Sequence, residues 1–164
     1  MDRKTFKVLF LCTGNSARSI IAEAILNSVR GDRFEAYSAG SHPTGAVNRL
    51  AIQELSRLHI STSGLRSKGW DEFATSDGPE MDFVITVCDN AAGEVCPAWP
   101  GQPITAHWGM ADPAAVEGTD EVKLKAFHDV AVMMKRRIDI MQSLPLESLD
   151  RLAIQKQVRE VPNQ

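Results

Sequence analysis

The chain has 164 residues, 43% of them hydrophobic and 24% charged, which suffices for one sizeable buried core. Its formal net charge of -3 offers no broad positive field for nucleic acid or an anionic membrane, so any anion site must be local. No apolar run approaches the roughly 20 residues of a membrane span, and the stretch behind the N-terminus is too short for a signal-peptide core.

From the N-terminus, Lys4 to Leu11 reads as a buried strand, and Ser19 to Val29 has the apolar spacing of a helix that stops at Gly31. Phe34 to Ser38 predicts a second short strand closed by Ala39-Gly40, and Asn48 to Leu58 sets Leu50, Ala51, Leu55 and Leu58 at helical spacing. Met81 to Val87 is a continuous apolar run of the kind covered on both faces of a parallel sheet. Ile104 to His107 reads as a last short strand. About Glu121 to Met141 reads as a long helix, with Leu124, Phe127, Val130, Ala131, Met134, Ile138 and Met141 along one face. Strands alternating with helices predict a three-layer α/β domain with a mainly parallel sheet, in which ligands bind at the carboxyl ends of the strands. The catalytic domain is expected over residues 1–144, followed by a polar tail, residues 145–164, with helical potential around Leu149 to Val158.

The chain is expected in the cytoplasm, where thiols are kept reduced. Its three cysteines, Cys12, Cys88 and Cys96, then read as free, reactive or metal-binding and not as a disulfide framework. Cys12 and Cys88 both stand where a predicted strand ends, so one edge of the sheet can hold both.

Between the first strand and the first helix lies CTGNSARS, Cys12 to Ser19. Each part suits a tetrahedral oxyanion. Gly14 allows a conformation that a side chain would resist, and Thr13, Asn15, Ser16 and Ala17 are small enough for the backbone to curl its N–H groups inward into an anion-binding nest. The helix adds its positive N-terminal end, and Arg18 a planar fork of donors that grips two oxygens. The same positive environment favours thiolate over thiol at Cys12, and Ser19 is placed to donate its hydroxyl to the sulfur. The bland alternative is a buried structural cysteine with Arg18 a solvated surface charge. Cys-x5-Arg alone is too common to decide, but Cys-x5-Arg-Ser between an apolar strand and a helix, with Gly and Asn inside, favours the oxyanion loop. A nucleotide P-loop is disfavoured because G-x-x-x-x-G-K-[ST] is absent.

VLFLCTGNSARS, the segment YSAGSHPTG from Tyr37 to Gly45, and an Asp-Pro pair downstream together resemble the low-molecular-weight protein tyrosine phosphatases. The resemblance covers about Phe6 to Met141 and implies a four-stranded parallel sheet flanked by helices. VCDNAAGEVCP, with Cys88 and Cys96 bracketing a seven-residue loop, and HWGMADPA, His107 to Ala114, further resemble the arsenate reductases built on that fold. In the mechanism this implies, Cys12 attacks arsenate, Arg18 and the loop amides stabilise the charge, and Asp112 protonates the departing oxygen. Cys88 then attacks Cys12, arsenite departs, and Cys96 carries the oxidation to a Cys88–Cys96 disulfide open to an external thiol donor: thioredoxin, glutaredoxin or glutathione. Eight residue steps span about 26 Å when extended. Disulfide-linked Cα atoms lie roughly 4.4 to 6.8 Å apart, so this loop must fold back on itself and is expected to be mobile.

Asn15, Glu23 and Ser38 match three ligands of a potassium ion bound by some relatives, but Ser67-Lys68 falls near where a carboxylate would stand. A lysine ammonium can replace the ion, so no metal and no bound cofactor are expected, and the chain is expected to be a monomer. Two alternatives stay open: a tyrosine phosphatase of the same fold, and a non-catalytic oxyanion-binding or redox-sensing protein that would not need Asp112. Zinc held by Cys88, Cys96 and His107 matches no common structural spacing. The tryptophans, Trp70, Trp99 and Trp108, read as packing. His59 and His128 read as surface or helix residues, and Lys135-Arg136-Arg137 as a solvated helix face.

Overall fold

A strand buried on both faces must be apolar at consecutive positions, and β1 (Phe6–Cys12, FKVLFLC) meets that demand. Phe6, Val8, Phe10 and Cys12 point to one side of the sheet and Leu9 and Leu11 to the other, where two separate apolar clusters form. The computed structural model describes residues 4–88 and 99–164. In it β1 is flanked by β2 (Phe34–Gly40) and β3 (Phe83–Thr86), with β4 (Ile104–His107) outermost, in the order β2-β1-β3-β4. All the pairings are parallel, and the register opposes Cys12 to Gly40 and Leu11 to Thr86.

The chain leaves β1 for β2 on one side and returns to β3 on the other, which makes the carboxyl end of β1 a topological switch point. Val87 N–H bonds Leu11 O at 2.8 Å, so Cys88 follows directly beside the end of β1. The expected strand Met81 to Val87 narrows to Phe83–Thr86, although its flanks stay laddered: Asp82 N–H bonds Lys7 O, and the Asp82 carboxylate accepts from Lys7 N–H.

The first helix, α1 (Arg18–Ser28), and the second, α2 (Arg49–Arg57), pack with the long α3 (Asp120–Ser143) on the Phe6/Val8/Phe10 face of β1. The apolar stripe expected on the long helix is buried at Phe127, Val130, Ala131, Met134, Ile138 and Met141. The opposite face is covered by Phe73 and Met81, with Tyr37, Trp70 and Trp99 at its rim. Beyond Pro145, α4 (Arg151–Glu160) runs along the outer strand. Val158 and Val161 are fully buried in the same core as the sheet, and Arg159 Nε donates to Thr105 O on the open edge of β4. Among the described residues no helix is long and apolar enough to cross a membrane.

Among the polar contacts that join α2 to α3, the one at Glu54 is buried, whereas the Arg49–Asp120 pair is exposed. The Glu54 side chain is 1% exposed and accepts from Arg57 Nε and Nη2, while His128 Nδ1 lies 2.7 Å from its Oε1. Burial alone would raise the pKa of this carboxyl, but the bonds from Arg57 and His128 outweigh it and hold it below the usual 4.5. Its contribution is therefore present above the unfolded pKa and is lost as pH falls through the lowered folded value. Glu54→Gln is expected to cost about 1.5 to 3 kcal/mol at neutral pH, and the deficit should shrink in acid below the ordinary carboxylate pKa, as followed by urea unfolding across a pH series.

Candidate active site

Cys12 ends β1 as a buried thiol, and α1 starts six residues later at Arg18. The intervening loop is anchored from outside through its carbonyls. His42 N–H bonds Thr13 O, Thr44 N–H bonds Gly14 O, and Asn48 N–H bonds Ser16 O, so three carbonyls face away from the sulfur. Among the described residues the amides of Gly14, Ser16, Ala17 and Arg18 meet no protein acceptor. The helix start is also open: Ala17 offers no capping side chain, and no acidic residue lies in the first turn. By contrast α2, α3 and α4 are capped by Asn48, Thr119 and Asp150. An uncapped helix start beside a loop of free amides is a site for an anion.

The left-handed residue of the loop is Asn15, with φ 46°, and not the expected Gly14. At Gly14 an added Cβ would sit tightly, 3.3 Å from Thr44 Cγ2. The fully buried Asn15 explains the exchange of roles. Lys68 N–H donates to its Oδ1 at 2.9 Å, which fixes the amide so that Nδ2 donates to Ser19 Oγ at 2.8 Å. The Ser19 oxygen thus accepts from Asn15, and its own hydrogen is free for Cys12 Sγ, 2.8 Å away. Asn15 N–H donates to the same sulfur at 3.2 Å. Two donors therefore converge on one sulfur.

Behind the loop the Lys68 side chain is 7% exposed. It donates to Arg66 O and to Ser38 Oγ at 3.3 Å and lies 3.7 Å from Glu23 Oε1. Burial pushes its pKa below the ordinary lysine value, and the Glu23 carboxylate opposes that shift. The lysine thus stands against Glu23 and Ser38, the residues that the sequence resemblance groups around a cation. Among the described residues no cluster of three or more His, Cys, Asp or Glu side chains is arranged to hold a metal ion.

Arg18 is 16% exposed and turns toward the segment after β4. Its Nη1 donates to Met110 O at 3.0 Å and its Nη2 lies 3.8 Å from Asp112 Oδ2. The Asp112 carboxylate is 43% exposed and accepts from Ala114 N–H at 3.0 Å. Cys88 is buried, and Thr13 Oγ1 lies 3.6 Å from its sulfur. The geometry thus gathers Cys12, Asn15, Arg18, Ser19, Asp112 and Cys88 at one edge of the sheet. Cys96 lies outside the described residues, as does the loop that leads to it. His107 is bound to Thr86 Oγ1 at 2.7 Å.

The family model for low molecular weight phosphotyrosine protein phosphatases matches residues 7–152. The chain belongs to that family. A curated relative from Halalkalibacterium halodurans, named arsenate reductase, is 40% identical over 84% of this chain and 94% of its own. A solved structure described as an arsenate reductase in the phosphate binding state aligns with a TM-score of 0.63 at 28% identity, covering 82% of this chain and 95% of that one. The thioredoxin-dependent arsenate reductase of Corynebacterium glutamicum aligns with a TM-score of 0.56 at 25% identity; 85% of this chain is covered, against 64% of that longer chain.

Besides the anchors from His42, Thr44 and Asn48, two further supports of the loop are not visible in its own sequence. One is the backbone N–H of Lys68, which comes from a segment 53 residues away. The other is Gly40, opposite Cys12, where an added Cβ would lie 2.4 Å from Thr13 O and 3.0 Å from Asn15 N. Both contacts are backbone, which cannot step aside as a flexible side chain can. Gly40→Ala is expected to displace the loop and weaken binding of inorganic phosphate by roughly 10- to 100-fold, read by NMR titration, with the circular dichroism of the fold retained.

Proposed function

We propose that the protein reduces arsenate to arsenite, with Cys12 as the nucleophile and Cys88 and Cys96 as the thiol pair that supplies two electrons. The observation that carries this reading is a second buried thiol beside the first. Cys12 closes β1, and Cys88 follows the adjacent parallel β3 at the same edge, with the Thr13 hydroxyl next to its sulfur. A hydrolase of this fold has work for one thiol only. The relative named arsenate reductase, and the phosphate-binding state of a solved arsenate reductase, support a tetrahedral oxyanion as substrate.

On this reading the steps run in order. Cys12 attacks arsenic; an S–As bond forms and an As–O bond breaks. The leaving oxygen departs as water with the proton that Asp112 supplies. The Arg18 guanidinium and the amides of Gly14, Ser16, Ala17 and Arg18 hold the oxyanion charge, while the Ser19 hydroxyl and the Asn15 N–H steady the sulfur. Cys88, as thiolate, then attacks Cys12 Sγ. The S–S bond forms, the S–As pair stays on arsenic, and As(V) leaves as As(III). Cys96 attacks Cys88, which frees Cys12 as thiolate and leaves a Cys88–Cys96 disulfide. An external dithiol returns the two electrons and two protons. Because the arsenate reductase of Corynebacterium glutamicum is thioredoxin-dependent, thioredoxin is the first donor to assay, ahead of glutaredoxin or glutathione.

Arsenate turnover with a thioredoxin system, compared among the parent, Cys88→Ser and Cys96→Ser, tests the reading. Turnover should be lost in both variants, while hydrolysis of a phosphate ester, which uses only Cys12, Arg18 and an acid, should persist. Parent-like arsenate turnover in both variants overturns the relay, and ester hydrolysis without any arsenate reduction by the parent favours a phosphatase. Ser19→Ala, which removes one donor from the sulfur, should slow single-turnover attack by Cys12 roughly 10- to 100-fold, the worth of a hydrogen bond to a charged group.

A further inference from the structure

Asp112 has little of its own to hold it. Its side chain is exposed, its one close bond is to the neighbouring Ala114 N–H, and Arg18 stands 3.8 Å away. No regular structure spans the stretch between β4 and Pro113, so no ladder fixes it. Its backbone groups are satisfied one at a time. Trp108 N–H bonds Thr86 O at 2.7 Å, and Met110 N–H bonds Val87 O at 3.2 Å. The three successive carbonyls of Trp108, Gly109 and Met110 all accept from guanidinium groups. Met110 O takes Arg18 at 3.0 Å; Trp108 O and Gly109 O both take Arg137 Nη1, at 2.8 and 3.2 Å.

The run Lys135-Arg136-Arg137 reads in sequence as a solvated helix face, yet Arg137 is half-buried, and among the described residues no carboxylate pairs with it. Burial pushes its pKa below the ordinary arginine value. A cation set part-way out of water without a counter-charge is costly unless hydrogen bonds compensate it, and for Arg137 they come from two backbone carbonyls. They fall on the segment that ends in Asp112. A second tie comes from the C-terminal helix. The buried Trp108 indole donates to Val158 O at 3.0 Å, and Val158 lies beyond the residues that the family model matches.

We propose that Arg137 is a positioning residue for the acid: with the Trp108 indole anchored on α4, it holds residues 108–110 so that Arg18 and Asp112 meet at the oxyanion loop. The inference rests on the reading of Asp112 as the acid. It acts through a chain of two residues, because Met110 is both the acceptor of Arg18 and the last pinned residue before Asp112. A loop free to shift by about 1 Å would misplace the proton donor, a displacement that can cost up to roughly 100-fold in rate.

The test is a double-mutant cycle on arsenate turnover by the full chain, with Arg137→Met and Asp112→Asn alone and combined. Arg137→Met should lower kcat roughly 10-fold in the parent and less than about 2-fold once Asp112→Asn is present, since the group it positions is then gone. Arg137→Lys, which can still donate to one carbonyl, should recover part of the loss. Equal losses in both backgrounds, or no loss in the parent, overturn the inference and leave the acid assignment standing. If Asp112→Asn alone leaves turnover unchanged, the acid assignment falls and this inference falls with it. Should the methionine variant not fold, Arg137→Gln serves the same cycle, with the same outcomes deciding.

Discussion

The amide of Asn15 is the contact on which the oxyanion loop depends. At φ 46° the residue must tolerate a left-handed backbone, which asparagine does at modest cost and most side chains do not. Glycine would satisfy the backbone but lose both side-chain bonds. Aspartate would satisfy the bond from Lys68 N–H but carry no donor for Ser19. Only a side chain with one acceptor and one donor sends the Ser19 hydrogen toward Cys12, so the turn, the amide orientation and the polarity at the sulfur are settled by one residue. The ring of anchors outside the loop, from His42, Thr44 and Asn48, takes up carbonyls of the loop and none of its N–H groups.

The sheet supplies the second constraint. Because β1 lies between β2 and β3 in a parallel register, everything that leaves a strand at its carboxyl end arrives at the same edge. Gly40 at the end of β2 makes room for the loop, Cys12 at the end of β1 carries the thiol, Cys88 beyond β3 carries another, and the stretch beyond β4 carries Asp112. The residues are 12, 40, 88 and 112 in the chain, and nothing local in sequence brings them together. The crossover topology does.

Much of this is legible in the sequence because it is periodic or local. The continuous apolar run of β1, the stripe on α3 and the helical potential of the tail are patterns of apolar spacing, and they correspond to Phe6–Cys12, Asp120–Ser143 and Arg151–Glu160. The Cys12 to Ser19 loop is a contiguous motif and can be assembled from its residue types. The left-handed position within it cannot: Gly14 and Asn15 are both suited to a positive φ, and the choice is made by Lys68, from a segment with no periodic relation to the loop. Arg137 departs from the solvated face for a related reason. Its two neighbours, Lys135 and Arg136, are exposed, and a run of three basic residues on a helix turns through about 200° from first to last, so one of them must face another way. Here that way is the carbonyls of Trp108 and Gly109.

The same edge of the sheet can serve hydrolysis or reduction because the parts that capture the anion are separate from those that would supply electrons. On the proposed reading, capture is local to the β1–α1 turn: amides, a helix start, Arg18 and the donors on Cys12 suit a tetrahedral oxyanion and have no means to tell arsenic from phosphorus. An S–As bond differs from an S–P bond in what a second thiol can do to it, since arsenic accepts the electron pair and phosphorus does not. On the proposed reading, selectivity therefore resides in whether Cys88 can follow Cys12. That depends on the end of β3 and not on the loop itself. A scaffold that already brings the end of β3 beside the end of β1 can take its first step from phosphate chemistry toward redox chemistry with a cysteine there, and in this chain position 88 holds one, buried and next to the Thr13 hydroxyl.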